Sequence, residues 1–179
     1  MNPPPPPPGP IGEYAQTCSR YVQTALGLAL DFEPETLPLL DHYLRQARAD
    51  SSRRPETLPL IATVAGSYLG ELLRRRHACT WIMEDPEEPL SWQLDFDGLD
   101  LSVFPIAIAN EALTGVSDPE LAVIALGEED RKLVAERLAR LPAVREDDFF
   151  APSTRVEVID IAVDIMLARK HAATPSPED

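Results

Sequence analysis

The strongest hydrophobic pattern of the chain lies in residues 58–77, where apolar side chains recur every three or four positions. One face of a helix with this period carries Ile61, Val64, Ala65, Tyr68, Leu69, Leu72 and Leu73. The arginines at residues 74–76 end the segment, where cations suit the negative partial charge of a helix C-terminus. The same period predicts two earlier helices, over residues 11–26 and 37–49.

Two of these helices are preceded by the same hexapeptide, PETLPL, at residues 34–39 and 55–60. In each copy a threonine, Thr36 or Thr57, is placed to cap the helix N-terminus with its hydroxyl group. The proline that follows suits the first helical turn, where no backbone N–H is needed. Gly27 is placed to end the helix over residues 11–26.

Residues 80–104 change to the alternating pattern that is typical of strands. The predicted strands are residues 81–83, 90–96 and 99–104. In the second of them Trp92, Leu94 and Phe96 alternate with polar residues, so one face of the sheet is buried and the other meets water. Asp97-Gly98 is a strong signal for a tight hairpin, because such a turn needs positive φ.

The pattern returns to helices after Pro105. The predicted helices are residues 106–113, 119–126 and 128–141. Gly115 is placed to end the first, and Asp118 is placed to cap the second. Residues 156–167 fit both a strand and a helix, but their length and a capping box, Thr154-x-x-Glu157, favour the helix.

These elements predict an α+β fold, with several helices packed on a small three-stranded antiparallel meander. Residues 28–32 also alternate and could add one extra short strand. The chain of 179 residues, 44% hydrophobic, is expected to form a single domain over residues 11–171. Residues 1–10 predict a disordered polyproline arm, and residues 172–179 predict a disordered tail.

The net charge of −14 decides which partners the sequence favours. Such a field repels nucleic acid and anionic membranes but attracts a basic protein. No apolar run reaches the length of a membrane helix, no signal peptide is recognisable, and Cys18 and Cys79 form no disulfide framework. We therefore expect a soluble, cytoplasmic protein, and its few lysines beside many alanines, leucines, arginines and prolines suggest a GC-rich genome. Its oligomeric state stays open.

Gly66 and Gly70 lie one turn apart on the long helix, although glycine is unfavourable there. Their spacing predicts that another backbone or a ligand approaches closely. Glu71 beside them can pair with Arg74 or Arg75, or serve as a general base. A small-molecule site at the junction of helix 58–77 and sheet 80–104 would use Tyr68, Glu71, Arg75, Trp81 and Trp92.

Motifs for catalysis and for metal or cofactor binding are missing from the sequence. It has no C-x-x-C, H-E-x-x-H or G-x-S-x-G pattern and no glycine-rich phosphate loop. His77-Ala-Cys79 offers only two metal ligands, and residues 95–100 are better used as a hairpin than as a calcium loop. We expect no metal site and no cofactor, and no catalytic residue can be assigned.

The long helix also carries a resemblance. Its segment Gly66-Ser-Tyr-Leu-Gly-Glu-Leu-Leu-Arg74, followed by Trp81, resembles a group of uncharacterised bacterial domains with a G-x-Y-x-G-E-x-x-R helix and a tryptophan-bearing strand. The likeness covers about residues 28–113, including Leu30-Asp-Phe32, Thr36 and Leu40-Asp41. It implies a shared fold and no established activity. Ala78-Cys79 departs from the small residue or glycine that often precedes the tryptophan in that group.

The function favoured by these observations is a non-enzymatic acidic binding protein, of the immunity or adaptor type, that engages a basic protein. Its expected contact surface is Glu84, Asp85, Glu87, Glu88, Asp95, Asp97 and Asp100. The alternative is the small-molecule or enzymatic site at the helix–sheet junction. A third class is a structural subunit that assembles through its proline arm.

Overall fold

The computed structural model describes residues 5–121 and 123–173, which form an α+β fold of six α-helices and four β-strands. In chain order the elements are α1 (Ile11–Leu26), α2 (Leu37–Ala49), α3 (Leu58–Arg76), β1 (Cys79–Ile82), β2 (Gln93–Phe96), β3 (Leu101–Val103), α4 (Pro105–Thr114), β4 (Ile124–Leu126), α5 (Glu128–Leu138) and α6 (Pro152–Ala173). The α+β class is therefore confirmed. Among the described helices, none combines the length and the apolar character that a membrane span requires.

Helix α3 is the centre of the fold, because it packs against α1 on one side and α4 on another. Its residues are buried almost all round from Ala62 to Arg74. A Cβ on Gly66 would overlap the backbone of Ile106 in α4, and one on Gly70 would overlap the ring of Trp81. The predicted close approach of another backbone is confirmed at Gly66, whereas at Gly70 the approaching group is a side chain.

The sheet is an antiparallel meander in the order β1-β2-β3-β4. Trp81 pairs with Leu94 across β1 and β2, and Leu94 pairs with Val103 across β2 and β3. These three side chains are buried on the face that meets the helices. The predicted hairpin between β2 and β3 is confirmed, with Gly98 at φ +70°.

The fourth strand, β4, lies where the sequence pattern predicts a helix over residues 119–126. Residues Ile124–Leu126 pair with β3 and extend the sheet. Three apolar residues are too few to show a period, so the unpaired backbone of β3 decides their conformation. Asp118 caps no helix; its Oδ1 accepts the N–H of Glu120 over 2.9 Å in a turn.

The extra short strand predicted over residues 28–32 is absent, since these residues of the described chain pair with no strand. Leu30 is buried, but Phe32 takes φ +63°, a left-handed conformation that an aromatic residue adopts only under constraint. The N–H of Phe32 donates to the Tyr68 hydroxyl over 2.8 Å. A hydrogen bond to a side chain thus takes the place of the strand pairing that the alternating pattern predicted.

The predicted threonine caps are wrong, although helices α2 and α3 begin where expected. Each PETLPL copy forms a short 3-10 turn, at Pro34–Thr36 and Pro55–Thr57. The Thr57 hydroxyl donates backwards to the carbonyl of Arg54 over 2.8 Å, and the Thr36 hydroxyl donates to Asp31. The 3-10 turn shifts each threonine out of the extended conformation that a capping residue needs.

The ambiguous segment near the C-terminus is a helix, as favoured, but its capping box is wrong. Helix α6 begins at Pro152, which puts Thr154 inside the first turn. Its cap comes from another helix: Asp41 of α2 accepts the N–H of Ser153 over 3.1 Å and its hydroxyl over 2.5 Å. A cap supplied from a distant part of the chain leaves no local signal.

The two chain ends lie partly outside the described residues, at 1–4 and 174–179. Within the predicted arm, the carbonyl of Pro5 accepts a hydrogen bond from Arg74, and Gly9 lies near Met83. Since α1 therefore begins beside the end of α3, the two helices run antiparallel.

Candidate functional site

A buried hydrogen-bonded cluster joins α3 to the sheet. Glu71 Oε1 accepts from Arg74 Nη1 over 2.9 Å and from the indole Nε1 of Trp81 over 2.8 Å. Arg74 Nη2 donates to the Pro5 carbonyl over 2.7 Å. Glu71, Arg74 and Trp81 are all buried. Of the two arginines that the sequence offers to Glu71, Arg74 is the one that forms the pair.

The spacing of residues along α3 explains this arrangement. Gly70 has no side chain, so the Trp81 ring lies directly on the helix. Its indole N–H then reaches the next residue, Glu71. Arg74 follows one turn later on the same face, where residues three apart are neighbours. The segment from Gly70 to Arg74 therefore joins helix α3 to strand β1 and to the N-terminal arm at Pro5.

Arg75 and Tyr68 take part in a second arrangement, which is built around Phe32. The guanidinium carbon of Arg75 lies 3.9 Å from the centre of the Phe32 ring. The Phe32 ring also stacks on the Tyr68 ring, with centroids 4.5 Å apart. Burial raises the pKa of Tyr68 to about 12, so its hydroxyl stays protonated at neutral pH. Arg75, Phe32 and Tyr68 thus combine a cation–π contact with an aromatic stack.

Trp92, the fifth residue of the predicted ligand site, lies apart from both arrangements. Its ring is buried, and its Nε1 donates to the carbonyl of Asp85 over 2.8 Å. The structure thus brings Glu71 to Trp81 and brings Tyr68 to Arg75 through Phe32. The polar groups of Tyr68, Glu71, Trp81 and Trp92 bind protein groups, whereas Arg75 is exposed and packs on the Phe32 ring.

The acidic residues of the predicted partner surface fall into two groups at opposite ends of β2. Residues 84–88 form the loop between β1 and β2, whereas Asp97 and Asp100 belong to the hairpin at the other end. Asp95 lies between them, half-buried, and its Oδ1 accepts from Ser102 over 2.7 Å and from Gln93 over 2.9 Å. We call residues 84–88 the acidic loop.

The acidic loop carries four exposed carboxylates, on Glu84, Asp85, Glu87 and Glu88. None of them forms an ion pair within the described chain. The hairpin group differs, because the Lys170 ammonium lies against it and donates to the carbonyl of Gly98 over 3.2 Å. Of these two groups, the acidic loop therefore has the more carboxylates, and no cation of the described chain is paired with it.

The two cysteines are poorly suited to act as nucleophiles. Cys18 and Cys79 are free and buried, and burial raises the pKa of each thiol to about 12. A thiol that stays protonated is a poor nucleophile and a poor metal ligand. His77 lies close to Cys79 in sequence, but its Nε2 contacts Asp160 of α6 over 2.7 Å.

A feature that sequence reasoning missed is a cleft of about 790 Å³ among α1, α2 and the start of α3. Its walls include Tyr21, Tyr43, Arg53, Arg54 and Leu60. Tyr21 lies within the helix predicted over residues 11–26, and the two arginines lie in a loop without a motif. Only the packing of three helices brings these residues together.

Comparison of the chain with known protein families, with curated proteins and with solved structures gives no match. The likeness to uncharacterised bacterial domains therefore stays a prediction. Function must be argued from the geometry of this chain alone.

Proposed function

We propose that the protein is a non-enzymatic binding protein, of the immunity or adaptor type, that engages a basic protein partner through the acidic loop. One observation carries this proposal: four exposed carboxylates lie within five consecutive residues and have no ion-pair partner in the described chain. Like charges held this close repel one another, so a cationic partner would relieve their repulsion.

The backbone of the loop is held in place by its own hydrogen bonds. Asp85 Oδ1 accepts the N–H of Glu87 over 2.9 Å, and the Asp85 carbonyl accepts the N–H of Glu88 over 3.2 Å. The buried indole of Trp92 donates to the same carbonyl. Binding would therefore cost little ordering of the loop, which favours affinity.

Apolar groups flank the charged residues. Met83 precedes the loop and Leu90 follows it, and both are half-buried. Interfaces commonly combine a small apolar centre with a polar rim, and the rim charges set the rate and the orientation of association. The net charge of −14 would draw a basic protein from a distance and repel nucleic acid.

The engagement of Glu71, Arg74 and Trp81 with one another and with the arm favours the binding function over the small-molecule alternative. An enzyme needs groups that are free to meet a substrate, whereas the Glu71 carboxylate, both terminal nitrogens of Arg74 and the indole N–H of Trp81 are hydrogen-bonded within the protein.

The experiment is co-purification at low salt with three forms of the tagged chain expressed in its own cells. They are the natural chain, a loop variant with Glu84→Gln, Asp85→Asn, Glu87→Gln and Glu88→Gln, and a control with Glu35→Gln, Glu56→Gln, Glu136→Gln and Glu157→Gln. Asparagine at residue 85 keeps the oxygen that accepts the Glu87 N–H. The control removes the same charge from exposed residues elsewhere.

We expect one basic protein in near-equal amount with the natural chain and with the control, and its loss with the loop variant. Retention by the loop variant, or equal loss from the control, would show that the loop is not the contact surface. Absence of any enriched basic protein would contradict the proposed function itself.

A further inference from the structure

The cleft among α1, α2 and the start of α3 lies outside the surface proposed for the partner. Its volume of about 790 Å³ is in the range of small-molecule sites. Helices α1 and α2 contribute their C-terminal halves, and α3 contributes its first turns. The acidic loop supplies none of the residues that line it.

Aromatic and aliphatic groups give the cleft an apolar centre. Tyr21 and Tyr43 are half-buried, and Leu60 and Ile61 lie at the start of α3. Leu60 is 48% exposed, so it offers apolar surface to the cleft. Burial raises the pKa of Tyr43 to about 12, so its hydroxyl remains available as a hydrogen-bond donor at neutral pH.

Charges of both signs line the cleft. Arg53 and Arg54 lie in the loop before α3, and neither forms an ion pair within the described chain. The N-terminus of α3 adds positive partial charge. Asp50, whose carbonyl accepts the N–H of Arg53 over 3.0 Å, and the C-terminal ends of α1 and α2 add negative charge or partial charge.

We propose that this cleft binds a small amphipathic monoanion, in which one carboxylate, sulfonate or phosphate ester is attached to an aromatic or aliphatic body. The anionic group pairs with Arg53 and Arg54, since guanidinium groups bind such oxyanions in a fork. The body lies between the tyrosines and Leu60. Asp50 and the two helix C-termini disfavour a second negative charge on the ligand.

Anilinonaphthalene sulfonate is a suitable probe, because it joins one sulfonate to an aromatic body and fluoresces when it leaves water. Titration into the folded full-length chain at about 0.15 M salt should give saturable binding of one molecule per chain. The double variant Arg53→Gln and Arg54→Gln should weaken binding by about tenfold or more. A neutral naphthol should bind more weakly than the sulfonate.

The matched control is Arg137→Gln with Arg140→Gln, which removes the same charge from exposed residues that do not line the cleft. Its affinity for the probe should equal that of the natural chain. Leu60→Glu should abolish binding while leaving the near-ultraviolet circular dichroism unchanged, since Leu60 is exposed. These readouts are independent of any protein partner, so the outcome does not depend on the proposed function.

Three results would overturn the proposal. They are unsaturable or undetectable binding by the natural chain, equal affinity in the Arg53 and Arg54 variant, and equal loss in the control. Without saturable binding by the natural chain, the protein has no site for this class of anion. Equal affinity in the Arg53 and Arg54 variant, or equal loss in the control, would show that the cleft arginines do not form the site.

Discussion

Trp81 donates its indole N–H to Glu71 over 2.8 Å, which joins strand β1 to helix α3 by a buried hydrogen bond. The same carboxylate pairs with Arg74, whose other nitrogen reaches the arm at Pro5. Glu71 is therefore the group on which the helix, the sheet and the start of the chain depend together. Removing its charge leaves the Arg74 guanidinium buried without a counterion.

Replacement Glu71→Gln should lower the free energy of unfolding by about 3 kcal/mol, because one partner of a buried ion pair is lost. Urea unfolding followed by tryptophan fluorescence measures this change. Glu128→Gln removes one partner of an exposed pair with Lys132 and should cause no measurable change. A Glu71→Gln chain as stable as the natural one would show that the buried pair contributes nothing to stability.

Gly70→Ala should destabilise the fold by about 2 kcal/mol, since the new methyl group overlaps the Trp81 ring. The better helix propensity of alanine offsets only about 1 kcal/mol of the strain. The decisive measurement is a double-mutant cycle with Trp81→Leu, which removes the ring. Gly70→Ala should lower the free energy of unfolding much less in the Trp81→Leu background. Strictly additive effects would contradict the packing of the Trp81 ring on Gly70.

Asp41→Ala should cost about 1–2 kcal/mol, because α6 loses the carboxylate that caps Ser153. Thermal unfolding is the measurement, with Asp41→Asn as the matched variant that keeps one accepting oxygen. The asparagine variant should lie between the natural chain and the alanine variant. If both variants have the same Tm as the natural chain, the cap between the two helices is not a stabilising contact.

Asp160 of α6 contacts Arg76 and His77 at the end of α3, and the contribution of this contact to the free energy of unfolding should fall in acid. Burial alone would raise the pKa of Asp160, but hydrogen bonds from His77 and Arg76 hold it below the ordinary value of 3.8. The folded chain thus favours the ionised carboxylate, and its stabilisation is complete above the unfolded pKa. It is lost as the pH falls through the lower folded value.

Asp160→Asn removes this contribution, so its effect on the free energy of unfolding should be large near pH 7 and should shrink below about pH 4. Urea titrations of both chains across this range measure the difference. A difference that stays constant or grows in acid would show that the carboxylate is not preferentially ionised in the folded state.

The sequence predicts the helices well because their apolar residues repeat over many turns, as in α1 and α3. It also predicts the close approach at Gly66 and Gly70, since glycine is unfavourable inside a helix unless a neighbouring group needs the space. The hairpin at Gly98 is predictable on similar grounds, because only a few residue types tolerate positive φ.

Other features depend on contacts that no local pattern contains. Strand β4 forms because residues Ile124–Leu126 pair with the edge of β3 that β2 leaves open. Phe32 is held at positive φ by the hydroxyl of Tyr68, which lies 36 residues later in the chain. The cap of α6 comes from Asp41, and the cleft arises only where three helices meet. Tertiary structure overrides local preference at each of these places.

The central claim is that the acidic loop is the surface that binds a basic protein. The most direct test is calorimetric titration of the purified partner into the natural chain, the loop variant and the control variant at the same salt concentration. We predict a Kd at least about tenfold higher for the loop variant and an unchanged Kd for the control. Equal Kd values for all three chains would contradict the claim.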